Sequence, residues 1–323
     1  MNLKEWYLKN QFTEEDRNFL LKPQVEREYT VDLKEYKKLQ RQLKIKGLSK
    51  YDLCLGSDAR SLIKQLFDKY VDVNTLVITS GLEHESVNKI LSTVKNKYIL
   101  DEYRLTHLDI VKQELSQILV NYNKIFLYMI GVHMSTGFIM PDKVFNTLKA
   151  LLRDKETTYT LDDVHGLFSV NRDRSKFDYV IGTTHALIDN FNTGLLFSKH
   201  TKDKFGYKSV NQLKSLVEKL NILKQNTGFY TLRMSTKIST ENGIVVFPDF
   251  KCVGNIIAYY LPQELSIEKI KQVIDLKDES IIKFCNNTRP YFSLRSQELL
   301  FLSEDEFDEV NEKIEKLFNL ISC

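Results

Sequence analysis

"FDYVIGTTHALIDNFNTGLLFSKH", residues 177–200, holds two apolar runs around a polar loop. "YVIG" and "GLLFS" are too short for helices and rich in branched and aromatic side chains, so both read as buried strands. Between them, Thr183, Thr184 and His185 follow directly on the first strand, and "NFNTG" makes a turn into the second. The stretch therefore predicts strand, polar loop, strand, with the loop at a strand's carboxyl end.

The same rhythm runs upstream. "YDLCLG" precedes "DARSLIKQLFDKY", "TLVIT" precedes "HESVNKILSTV", "KIFLYMI" precedes "PDKVFNTLKALLRD", and "TYTLDD" stands before "FDYVIG". Short apolar runs alternating with amphipathic helices predict an α/β fold: a mostly parallel, seven-stranded-type sheet flanked by helices over residues 48–205. Residues 1–47 read as a charged helical arm. From about 206 the texture shifts to a helix, then strands such as "GIVVFPD", "GNIIAYYL" and "YFSLRSQELLFLS", which predicts a smaller C-terminal α+β domain over 206–323.

Bulk composition narrows the classes. The chain has 323 residues, 42% hydrophobic and 28% charged, with a formal charge of +3, so no broad field points to nucleic acid or to a membrane. No apolar run approaches a span, and "MNLKEWYLKNQF" is too charged for a signal peptide, so a cytoplasmic location is expected. Cys54, Cys252, Cys285 and Cys323 lie far apart without a CxxC pair, which suggests neither zinc nor a disulfide framework.

Open α/β sheets bind ligands beyond the carboxyl ends of their strands, so candidate site residues are expected just after the apolar runs. Gly56, Ser57 and Asp58 sit between a strand and a helix start, where free N–H groups suit a phosphate. His84 follows "TLVIT", and Ser135 and Thr136 follow "KIFLYMI" with Gly137 beside them. Asp162 and Asp163 end "TYTLDD", with His165 two residues on. Each alone serves equally well as a cap, a turn or a solvated surface group.

Together the pieces resemble the fold type I pyridoxal-phosphate enzymes, in their class V aminotransferase and cysteine desulfurase branch. "ITSGLEHESV" is similar to the segment whose histidine stacks on the cofactor ring, "VHMSTGFIMP" to the Ser-Thr-Gly turn, and "LDDVHG" to the Asp-x-Ala-(His/Gln) motif. "DYVIGTTHALIDNFNTGLLFS" is similar to the loop of the Schiff-base lysine. The resemblance implies pyridoxal 5'-phosphate as cofactor. Asp162 would meet the pyridine nitrogen, His84 one ring face and Val164, in place of the usual alanine, the other. His165 and Ser135 or Thr136 would lie near the phenolic oxygen. Gly56, Ser57 and Asp58 would hold the phosphate with Thr183 or Thr184. Arg295, with Arg289 in reserve, would clamp a substrate carboxylate. The family also implies a homodimer with shared active sites, in which 190–194 contributes to the neighbour's phosphate site, and a small amino substrate.

One position departs. Ala186 follows His185 where the family has its lysine, and a methyl group can neither bond the cofactor nor shuttle protons. Three readings stay open: a lysine replaced by alanine in an otherwise intact site, a natural alanine with His185 as acid and base, and a non-catalytic relative that binds cofactor or a partner protein. Lys199 is a remote stand-in. Cys285 is the one cysteine on a plausible loop for sulfur transfer, and an incidental thiol fits it as well. Transamination or lyase chemistry on an amino acid or amino-modified metabolite is the broader expectation.

Overall fold

The computed structural model describes residues 32–168, 170–184, 193–218, 220–221, 256–260, 282–285, 291–295, 312 and 316. The chain divides into two compact units. One holds Leu33–Met134 and Phe138–Val217; the other holds Met1–Asp32, Ser135–Gly137 and Glu218–Cys323.

In the first unit, α1 (Leu33–Gln42) precedes β1 (Asp52–Gly56), α2 (Ala59–Tyr70), β2 (Thr75–Thr79), α3 (Glu85–Thr93) and β3 (Lys97–Ile99). Then come α4 (Glu102–Thr106), α5 (Leu108–Ile118), β4 (Lys124–Ile130), α6 (Asp142–Leu151), β5 (Glu156–Asp162), β6 (Tyr179–Thr183) and β7 (Gly194–Ser198). The strands form a 7-stranded sheet in the order β1-β7-β6-β5-β4-β2-β3. β7 runs antiparallel to both neighbours, and every other pairing is parallel. This is the α/β, mostly parallel architecture that the alternating runs predicted.

The residues explain the layering. β1, β2, β6 and β7 are buried along their whole length, so both sheet faces need covering, and near-continuous apolar strands result. α2 buries Leu62, Ile63, Leu66 and Phe67, and α3 buries Val87 and Leu91, at helical spacing. These pack on Val77, Phe126, Tyr128, Tyr179, Ile181 and Leu196. Strand side chains alternate between faces, so this set marks the sheet face under α2 and α3. Asp162 pairs with Ile130 on one side and Ile181 on the other. It therefore shares that face with Tyr128 and, two residues past Ile181, with Thr183.

In the second unit, β8 (Ile256–Tyr260), β9 (Ile282–Cys285) and β10 (Tyr291–Arg295) form an antiparallel sheet in the order β8-β10-β9. β8 is the strand read from "GNIIAYYL" and β10 the start of the run "YFSLRSQELLFLS", of which 296–303 lie outside the described residues. β9, "IKFC", is too short for its alternation to stand out, and "GIVVFPD" lies outside the described residues.

Candidate functional site

Six parallel strands align their carboxyl ends along one edge of the sheet, and the start of β7 lies among them. Gly56 is in register with Gly194, and Gly194 with Thr183. Strands stand about 4.8 Å apart, so Thr183 lies about 10 Å from Gly56, with β5 and Asp162 one strand further.

At the β1 corner, Asp58 is extended (φ −157°, ψ 172°) and caps α2, its Oδ1 accepting the Ser61 N–H at 2.6 Å. Asp58 satisfies one of the orphan donors of the first turn, at the corner between β1 and α2. A Cβ on Gly194 would lie 2.2 Å from the Asp58 carbonyl oxygen, so only glycine lets β7 start against the α2 turn. The two threonines close the next corner. Thr184 N–H donates to the Thr193 carbonyl at 3.0 Å, Thr193 N–H to Thr184 Oγ1 at 2.9 Å, and Thr183 Oγ1 to the same carbonyl at 3.3 Å. Residues 185–192, among them His185 and Ala186, lie outside the described residues.

The adjacent carboxylates of "LDDVHG" go to opposite environments. Asp162 is 7% exposed, accepts the Tyr128 hydroxyl at 2.6 Å and takes the Val164 N–H at 3.3 Å. Burial pushes its pKa up to about 6 against the lowering effect of those two hydrogen bonds, and the charges of Glu83 and Asp163 add to the rise. Asp163 is fully buried and bonds the equally buried Arg174, Nε to Oδ2, at 2.6 Å. Burial raises its pKa while Arg174 and Arg172 pull it down.

A carboxyl whose folded pKa is raised binds protons more tightly in the native state. Its stabilising effect is complete below about pH 4 and is lost as pH rises through about 6. In the cofactor-free protein, stability relative to Asp162→Asn is expected to fall by about 3 kcal/mol between pH 4 and pH 7. Urea midpoints of the two proteins across that range check this, and a flat difference contradicts it.

His84 caps α3 from an exposed position, its Nδ1 accepting the Ser86 N–H at 3.1 Å. His165 is half-buried, and half-buried Val164 packs against the core beneath α2 and α3. Ser135 and Thr136 are buried and belong to the second unit. Arg295 ends β10 and Cys285 ends β9, each described by its backbone alone. Arg289 lies outside the described residues. Lys199 follows the far end of β7, its N–H bonded to the Asp178 carbonyl at 3.0 Å. Five residues of strand, about 17 Å, separate it from the Gly194 corner, too far for an attached lysine's work there.

Three site-edge residues escaped the motif reading. Tyr128 lay inside the apolar run "KIFLYMI", with nothing to mark its hydroxyl. Glu83 stood in "LEHES" beside a more conspicuous histidine. His133, whose pKa burial pushes down to about 4, stands two residues before Ser135 with no motif to mark it.

No known protein-family model matches the chain, and no curated protein matches it. Solved structures do. A NifS-like protein from Rickettsia africae superposes with a TM-score of 0.65 at 13% identity, over 98% of this chain and 95% of that one. An aspartate aminotransferase from Thermus thermophilus gives 0.62 at 14% identity, over 99% and 97%. A lysine-to-alanine variant of serine palmitoyltransferase from S. paucimobilis, holding a PLP–myriocin aldimine, gives 0.62 at 13% identity, over 92% and 79%. The chain has the fold of the pyridoxal-phosphate-dependent transferases. At these identities the likeness is one of architecture. Among the described residues, no helix is long and apolar enough to cross a membrane, and no cluster of histidine, cysteine and carboxylate side chains is arranged for a metal ion.

Proposed function

We propose that the chain binds pyridoxal 5'-phosphate in the first unit and acts on an amino acid or amino-modified metabolite, as an aminotransferase or lyase. The observation that carries this reading is the buried Asp162 carboxylate, on the same sheet face and edge as the α2 N-terminus and the threonine clasp. The donor set fits the group: N–H groups and hydroxyls for a phosphate, Gly194 leaving the backbones in close approach, and a buried acid for a pyridine nitrogen.

When bound, the cofactor supplies an aldehyde carbon that bonds an amine and a ring that takes up electrons from the substrate. The remaining tasks fall to this chain. Asp162, fixed by Tyr128 and the Val164 N–H, holds the proton at the ring nitrogen. His84 would take one ring face and Val164 the other. Ser57 and Asp58 N–H groups with Thr183 or Thr184 hold the phosphate, and Gly56 lets it approach. The capping Asp58 carboxylate opposes the phosphate charge and limits its affinity. His165 would serve the phenolic oxygen. A second copy of the chain completes the site in a homodimer.

Ala186 is carried forward as the replacement of a lysine in an otherwise intact site, so this form binds cofactor without bonding it and is impaired in standard transamination. The serine palmitoyltransferase neighbour, solved as a lysine-to-alanine variant with cofactor bound, supports that reading by analogy.

Titration of the purified chain with pyridoxal phosphate, followed by absorbance, tests the proposal. Saturable binding is expected, and Asp162→Ala should weaken it by about 10- to 100-fold, the value of a buried charge-assisted hydrogen bond. Identical affinity and spectrum in both proteins would refute the assignment of Asp162.

A further inference from the structure

Glu83 closes the turn after β2, and the reading above gives it no task. It is 5% exposed. Its Oε1 accepts the Ser80 N–H at 2.9 Å and the Ser80 hydroxyl at 2.5 Å. Its Oε2 is buried without a hydrogen-bond partner among the described residues. A buried carboxylate oxygen lacking a donor is costly, so its persistence calls for a reason.

The sheet supplies one. β2 borders β4, with Thr79 in register with Tyr128, and Tyr128 gives its hydroxyl to Asp162. Glu83 after β2, Tyr128 on β4 and Asp162 on β5 thus belong to three neighbouring strands and their carboxyl ends. The charge of Glu83 acts on both of the others. The largest influences on Asp162 are burial, Tyr128, the Val164 N–H, Glu83 and Asp163, none of them a cation. Asp163 has its own guanidinium in Arg174. Two buried acids acting on one phenol, with no cation among the main influences from the described residues, favour a ligand that brings a proton or a positive charge with it.

We propose that Glu83 is a positioning residue which, acting through Tyr128 and Asp162, makes the site select a ring whose nitrogen carries a proton. This rests on the assignment of Asp162 to the ring nitrogen. A purely structural Glu83 would affect all ring ligands alike. A charge acting through Asp162 affects only those with a protonatable nitrogen.

The test compares pyridoxal phosphate with its 1-deaza analogue, in which C–H replaces the ring nitrogen, by equilibrium dialysis with the full chain. The wild type is expected to prefer the nitrogen form at least about tenfold, and Asp162→Asn to abolish that preference. Glu83→Gln should lower it by about threefold to tenfold while leaving affinity for the deaza form unchanged, and Glu83→Asp should restore most of it. If Glu83→Gln fails to fold, Glu83→Ala takes its place with the same expectation. Equal weakening of both ligands, or full preference in the Glu83 variant beside its loss in Asp162→Asn, overturns the proposal and leaves Asp162 standing. Absence of any preference in the wild type removes the Asp162 assignment and this inference together.

Discussion

Arg174→Met is expected to destabilise the protein by about 3–5 kcal/mol, because it strands a carboxylate in the core. Arg174 is 1% exposed and Asp163 is 0% exposed, so neither charge has water to fall back on. Beyond the Nε bond to Asp163, the guanidinium donates to the carbonyls of Arg172 at 3.0 Å, Gly166 at 2.8 Å and Val170 at 3.0 Å. Four acceptors from residues 163–172 thus converge on one side chain. They fix the course of the chain directly after Asp162, which carries Val164 and His165. Removing both charges in Asp163→Leu/Arg174→Met should recover much of the loss, since the penalty comes from breaking the pair more than from lacking it. Urea unfolding of the three proteins measures this. A single-variant loss under about 1 kcal/mol would show that the pair is replaceable by water.

The second large effect concerns Ala186. Ala186→Lys is expected to raise transamination by about 10²- to 10⁴-fold, the usual contribution of a positioned acid–base group. The same variant should bond the cofactor with loss of water, so that borohydride reduction leaves one phosphopyridoxyl group per chain, while the alanine form stays unmodified. Turnover in the alanine form that His185→Asn abolishes would instead assign proton transfer to His185. No activity and no bonded cofactor in Ala186→Lys would point to a protein that binds without catalysing.

Much of this arrangement was legible in the sequence, for identifiable reasons. The runs "TLVIT", "KIFLYMI" and "GLLFS" read as strands because a sheet covered on both faces leaves no polar alternation to confuse the pattern. Residues 56–58 and 183–184 were legible because strand ends and helix starts carry glycine, hydroxyl and acidic residues for local backbone reasons. The buried pairing of Asp163 with Arg174 was not. Adjacent strand residues point to opposite faces, and Arg174, which claims Asp163, lies eleven residues on in "NRDR", a stretch that reads as solvated surface. Tyr128 and Glu83 were hidden for the same reason: their importance comes from the β2–β4–β5 order, which local sequence does not encode. β9 was missed because four residues, "IKFC", give too short a period to recognise.

The most direct measurement of the central claim is the ¹⁵N NMR shift of pyridoxal phosphate labelled at the ring nitrogen, bound to the chain and to Asp162→Ala near neutral pH. A protonated nitrogen in the first complex and an unprotonated one in the second is the expected result. An unprotonated nitrogen in both, or the same shift in both, would contradict it.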